Sequence, residues 1–289
     1  MHARPQGLRR SPIGAPPENR LVTVLYAASV LTGWEPEVPA DDTLLRRWVL
    51  TSGARSTTLT ERVGGRVHRA EHADLFDAGS PVVFDNGVIL RRPLTHGELD
   101  DVVGHAGRFF PPERPWLLMS AWPLPDLASA GLRLMGHPPF MVRLASASAT
   151  PPPPPPGLEI RSVTPELAAT FGATLEECYA MPGAGASPWS DPRLFSDDVA
   201  AFLGYVDGEP IGTAAAFLAH GIVDVEMISC HERCRGRGIG EALTWAATRA
   251  HPDSVAMLMA SDDGRRLYER MGYVAVTRMT LWYRSDDAL

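Results

Sequence analysis

Arg235-Gly236-Arg237-Gly238-Ile239-Gly240 lies between a strand-like apolar run, Ile222 to Ser229, and a helix-like one, Glu241 to Ala250. Glycines at a strand-to-helix turn let backbone N–H groups approach an anion closely. The first turn of the following helix adds unpaired donors and the positive end of its dipole. Arg235 and Arg237 can hold a diphosphate or a 3′-phosphate through forked hydrogen bonds. The segment therefore reads as a phosphate cradle. It is not a P-loop, which needs a lysine reaching the terminal phosphates, because all 27 basic residues of the chain are arginine. The same absence excludes a pyridoxal phosphate Schiff base and a Ser-x-x-Lys nucleophile. A dinucleotide fingerprint would run G-x-G-x-x-G, whereas the order here is Arg-x-x-Gly-x-Gly.

Further along comes Ser261-Asp-Asp-Gly-Arg-Arg-Leu267-Tyr268-Glu-Arg-Met-Gly272-Tyr273. The two segments, in this order, resemble motifs A and B of the GNAT superfamily of acyl-CoA-dependent N-acyltransferases. Motif B is commonly written N-x-x-A-x-x-L-Y-x-x-x-G-F; here Ser261 replaces the Asn, Gly264 the Ala and Tyr273 the Phe. The resemblance covers roughly Leu158 to Arg284. It implies acetyl-CoA (coenzyme A) as the acyl donor, bound by Ile228, Ser229, Cys230, Arg235, Gly236, Arg237, Gly238, Ile239, Gly240, Ser261 and Arg265.

Outward from the cradle, the pattern is of mixed α/β order. A strand at Leu158 to Val163 precedes a helix at Pro165 to Tyr179, with Thr164 as a plausible N-cap, and a loop dense in Pro, Gly and Ser from Met181 to Asp191. Strands at Ala201 to Val206 and Ile211 to Ala219 flank the turn Asp207-Gly208-Glu209-Pro210. Past the cradle helix follow a strand at Ser254 to Met259, a short helix at Asp263 to Met271 and a closing pair around Val274 to Tyr283. The expected fold is a GNAT-like, largely antiparallel sheet flanked by helices, in residues 158–289.

Six prolines, Pro151 to Pro156, mark the clearest boundary, a semi-rigid extended linker over 149–157. Residues 21–148 hold a faint echo of the same plan. Trp116 to Ser120, a helix over Asp126 to Met135, Gly136-His137 and a strand at Phe140 to Leu144 parallel the later strand, helix, Gly272-Tyr273 and closing strand. Leu132 stands where Tyr268 stands, and no Arg-x-x-Gly-x-Gly precedes it, so this half reads as a smaller, degenerate GNAT-like domain. Residues 1–20, rich in Pro and Arg, read as a disordered tail. Leu21 to Leu31 is apolar but too short to cross a bilayer and reads as a buried helix.

Composition fits this reading. A net charge of −7 without a basic run argues against nucleic acid as the main partner. Three cysteines, Cys178, Cys230 and Cys234, make no disulfide framework and suit a reducing, cytoplasmic compartment. No metal is expected. Cys230 and Cys234 lack a second ligand pair, and His68-Arg-Ala-Glu71-His72, which matches the H-x-x-E-H of inverted zinc peptidases, reads as two helix-surface histidines. A homodimer is compatible with the sequence.

Acyl transfer needs a base for the attacking amine, a donor for the oxyanion and a proton for the departing thiolate. In Val223-Asp224-Val225-Glu226-Met227-Ile228, alternation sets Asp224 and Glu226 on one face and Val223, Val225 and Met227 on the other. Glu226 lies nine residues before Arg235, on the strand where the resemblance places the general base. The resemblance further implies a backbone N–H near Ile228 to Cys230 as oxyanion donor and Tyr268 as the acid. Asp224 and Trp189 are expected at the acceptor, a small-molecule primary amine. Two alternatives stand beside this reading: a protein or peptide amino group as acceptor, and a non-catalytic acyl-CoA-binding module.

Overall fold

A computed structural model describes residues 43–145, 150–179 and 187–284; the tail over 1–20, the apolar run Leu21 to Leu31 and most of the loop after Tyr179 lie outside them. Thr43, extended at φ −124°, accepts the N–H of Arg46 on its hydroxyl and starts helix α1 (Leu44–Arg62). Strands β1 (Arg66–Arg69), β2 (Ala73–Asp77) and β3 (Asn86–Leu90) then pair antiparallel. Helix α2 (His96–Phe109) returns the chain to β4 (Trp116–Ser120), parallel to β3, and β5 (Arg133–Gly136) and β6 (Pro139–Arg143) follow.

The helix expected over Asp126 to Met135 does not form. Pro123 and Pro125 hold its approach extended, a single 3₁₀ turn at Ala128–Ala130 closes on Gly131 at φ +77°, and β5 begins two residues later. His68 and His72 also depart from the helix surface expected for them. His68 is on β1, stacked on His105 at 4.5 Å, and His72 is in the turn beyond, against Arg92.

After the prolines come β7 (Leu158–Ser162) and α3 (Ala168–Tyr179), the latter preceded by a 3₁₀ turn in which Thr164 makes no side-chain capping bond. Strands β8 (Val199–Val206) and β9 (Glu209–Ala219) form a hairpin whose turn has Asp207 at φ 52° and Gly208 at φ 81°, the left-handed pair that a two-residue hairpin demands. Then follow β10 (Ile222–Cys230), α4 (Ile239–Thr248), β11 (Val255–Met259), α5 (Asp262–Arg270), β12 (Val274–Arg278) and β13 (Thr280–Arg284).

The two sheets share one plan. The seven-stranded sheet runs β12-β6-β11-β10-β9-β8-β7 and the six-stranded one β5-β13-β4-β3-β2-β1, each with a single parallel pair at the same place, β10 with β11 and β3 with β4. The chain is thus two domains of similar mixed α/β architecture. They are joined by more than the proline segment, because the halves exchange strands. β6 lies between β11 and β12 (Ala256 opposite Arg143), and β13 lies between β4 and β5 (Leu281 opposite Met119). The closing pair expected over Val274 to Tyr283 is therefore split between the sheets.

One hydrophobic cluster fills the seam with residues of both halves, among them Trp48, Phe140, Ile222, Met257 and Leu281. Each such side chain, fully buried, contributes about 1.5–3 kcal/mol. Helix α1 fastens the seam through Arg47, which donates to the carbonyls of His220 and Gly221, and through Arg62, paired with Asp198 at 2.8 Å. Among the described residues, no helix is long and apolar enough to cross a membrane.

Candidate active site

The cradle has the backbone its glycines imply. After β10 a 3₁₀ turn, Glu232–Cys234, leads to Gly236 at φ 75° and Gly238 at φ 80°, and Gly238 is the N-cap of α4. An L side chain is strained at either angle. A Cβ on Gly236 or Gly240 would meet nothing within 4 Å, whereas one on Gly238 would meet Pro155 Cγ at 3.2 Å. The segment from Arg235 to Gly238 is exposed and Ile239 turns inward to the core. The helix end is open to solvent, with two guanidinium groups beside it, so these residues fit a diphosphate.

The corresponding helix end in the first half is already filled. Glu98 Oε2 accepts the N–H of Thr95 at 2.8 Å at the start of α2, and Oε1 receives Arg92 at 2.7 Å. Arg92 and Thr95 hold this carboxyl down at about 2, so an anion sits there permanently. The two helix ends differ in what caps them: a capping box of Thr95 and Glu98 at one, a bare glycine at the other.

Strand β10 opens the sheet above the cradle. It pairs with β11 only through Ile222, Val223 and Asp224, and beyond Asp224 it runs along β9 alone. Between Glu226 and Ser229 its register with β9 slips, where Met227 takes φ 52°. Thr213 clamps the bulge by donating to the Met227 carbonyl at 2.7 Å and bonding the Ser229 hydroxyl, and the Tyr179 hydroxyl donates to the Ile228 carbonyl at 3.1 Å. The bulge also corrects the expected alternation. Met227 leaves the face of Val223 and Val225 and packs with the cluster on the opposite side.

The two carboxylates of β10 have different surroundings. Asp224 is 0% exposed, accepts Trp48 Nε1 at 3.2 Å and Arg55 Nε at 2.9 Å, and does not line the neighbouring cavity. Glu226 reaches that wall and meets Arg55 Nη2 at 3.2 Å. Burial pushes the Glu226 carboxyl up to about 7; Arg55 holds it down and Asp224 raises it further. Arg55 comes from α1, 169 positions before Asp224, and no local pattern marks it in the sequence.

Tyr268, on α5, is 9% exposed and meets Tyr273 edge-on at 6.0 Å. Burial, and then the Glu226 charge, push its hydroxyl up to about 12, so it keeps its proton at neutral pH. Gly264 is explained by the same corner, since a Cβ there would stand 3.1 Å from the Tyr268 ring and 3.2 Å from Ser261 Oγ. Ser261 caps α5 by accepting the Gly264 N–H at 3.0 Å, and Arg265 pairs with Glu269 one turn on at 2.7 Å. The Cys230 thiol is pushed up to about 11 by burial, which keeps it protonated at neutral pH.

A cavity of about 480 Å³ lies between the halves. Glu226, Arg55, Tyr179, Met227, Trp189 and Ser261 reach it from one side, and Phe76, Val88, Leu117 and Met119 wall it from the first half. Trp189 is 5% exposed and packs on Phe171. Tyr268 is not part of the wall. Arg55, Tyr179 and the first-half wall escape sequence reasoning, because strand exchange and helix docking bring them in.

Residues 167–273 match the family model described as the acetyltransferase (GNAT) family. No curated protein matches the chain. Among solved structures, the chain is similar to a GCN5-related N-acetyltransferase from Kribbella flavida, at 21% identity over 83% of this chain and 97% of that one, with a TM-score of 0.59. It is also similar to a functionally unknown conserved protein from Staphylococcus epidermidis, at 14% identity over 78% and 96% of the two chains, with a TM-score of 0.53.

Proposed function

We propose, from the match of residues 167–273 to the GNAT acetyltransferase family model in a chain of similar fold, that the protein moves an acetyl group from acetyl-CoA to a primary amine of a small molecule. The observation that carries this reading is the open, glycine-capped helix end beside Arg235 and Arg237, at the foot of the opening between β10 and β11. Acetyl-CoA supplies an activated thioester carbonyl. Backbone amides of 236–240 and the two arginines suit its diphosphate, with Ser261 and Arg265 at the next helix end. Ile228, Ser229 and Cys230 line the opening with backbone, and an N–H among them serves the oxyanion.

Glu226 takes the proton that the amine loses as the new N–C bond forms and the C–S bond breaks. A carboxyl poised near 7 suits that role, since half of it is ionised at neutral pH and it still holds a proton well. Tyr268 returns a proton to the thiolate, and its hydroxyl stays protonated until the pH reaches about 12. Asp224 acts through Arg55, which it fixes against Glu226. A cavity of about 480 Å³ suits a small amine.

The test is thiol release from acetyl-CoA across a panel of primary amines. Amine-dependent release is expected. Tight coenzyme A binding with no release for any amine would instead identify a binding module.

A further inference from the structure

Three carboxylates reach the chamber wall: Glu226, Asp262 and Asp85. Two are answered by arginine, Glu226 by Arg55 at 3.2 Å and Asp262 by Arg278 at 3.0 Å. Asp74, Asp77 and Asp224, the buried aspartates, have arginines as well. Asp85 has none among the described residues. Its carboxylate accepts the Ser80 hydroxyl at 2.7 Å and has a second hydroxyl neighbour in Ser187. Its surroundings on the wall are apolar: Phe76, Val82, Phe84 and Val88. Burial pushes its carboxyl up to about 6, so at neutral pH it is mostly a charge without a counter-charge.

The two hydroxyls orient this carboxylate but cannot neutralise it. A half-buried carboxylate beside a cavity, with no cation on it among the described residues, is a position that a cationic ligand would complete. Asp85 belongs to the first half, in the 3₁₀ turn before β3, whereas Glu226 belongs to β10. Any molecule touching both spans the chamber between them, past the apolar side chains of Phe76, Val88, Leu117 and Met119.

We propose that Asp85 anchors a second cationic group of the acceptor, which is therefore an apolar-bodied diamine with one nitrogen at Glu226 and the other at Asp85. The inference rests on the acetyl-transfer reading for the fate of the first nitrogen, while the anchoring of the second is separable from it. It gives the first half a definite role: its carboxylate selects the acceptor and its apolar side chains set the spacing.

The probes are α,ω-diaminoalkanes from 1,4-diaminobutane to 1,10-diaminodecane, each paired with the n-alkylamine of equal length. The wild-type protein should prefer the diamine by about tenfold or more in kcat/KM at one optimal length, the scale of a charge-assisted hydrogen bond. In Asp85→Asn that preference should collapse to near unity, and Asp85→Glu should retain it or move the optimum. Absence of any diamine preference in the wild type at every length would overturn the proposal without recourse to a variant, and so would an undiminished preference in Asp85→Asn. Coenzyme A binding checks that the variants are folded. Quenching of the intrinsic tryptophan fluorescence, to which Trp48 and Trp189 on the wall contribute, reports diamine binding. Asp85-dependent quenching without thiol release would uphold the anchor while defeating acetyl transfer.

Discussion

At the residue scale, Arg55 shares one guanidinium between Asp224 and Glu226, which makes the acidity of Glu226 a property of both halves of the molecule. The groups acting on it are Arg55 and Asp224, while the hydroxyls of Tyr179 and Tyr268 feel its charge. A base must be ionised, so kcat/KM should fall as the pH drops through about 7. Arg55→Met removes the cation that holds the carboxyl down, and the acid limb should then move to higher pH; an unmoved limb would count against Glu226 as the base. Glu226→Gln should lower kcat by roughly 10²–10⁴ with little effect on the KM for acetyl-CoA. Tyr268→Phe should also lower kcat and spare cofactor affinity, and weakened affinity at unchanged turnover would reject the acid role. Glu226 can be singled out in the sequence because its strand precedes the glycine turn. Arg55 and Asp85 cannot, since each matters only through a contact made by docking distant segments.

At the element scale, the proposed cofactor site rests on the glycine turn between β10 and α4. Gly238→Val must hold a β-branched residue at φ 80° with Pro155 at 3.2 Å from its Cβ. Strain of this kind, about 1–3 kcal/mol, should raise the KM for acetyl-CoA by roughly tenfold to a hundredfold, measured by steady-state thiol release. Normal affinity in that variant would mean that the cradle is elsewhere. Elements with strong local signals are legible in the sequence. The Asp207-Gly208 hairpin needs two left-handed residues and has residues that tolerate them, and the helix behind Ser261 has a capping hydroxyl. Elements decided by their neighbours are not legible. Leu132 to Met135 carries no helix-breaking residue, yet it extends because β13 offers it a partner, and Met227 turns because Thr213 clamps a bulge.

For the whole molecule, strand exchange predicts one folding unit. β6 completes the sheet of the second half and β13 that of the first, so neither half can close its sheet alone. Phe140, buried on β6, makes the point experimentally: Phe140→Ala should cost about 3–5 kcal/mol. Urea unfolding followed by circular dichroism and by coenzyme A binding should give coincident transitions, whereas two separated transitions would show independent halves. The sequence makes the repeat visible. It cannot show which sheet a closing strand joins, because β12 and β13 carry similar apolar runs and the pairing partner is chosen only in three dimensions. The claim on which the account turns is that coenzyme A enters the second half alone, at the amides of 236–240, and carries its sulfur to Glu226. A crystal structure with coenzyme A tests it most directly. The diphosphate is expected on those amides, the pantetheine arm along β10 in the opening toward β11, and the sulfur facing the chamber. Coenzyme A bound instead at the Glu98-capped end of α2, or with its sulfur away from Glu226, would contradict it.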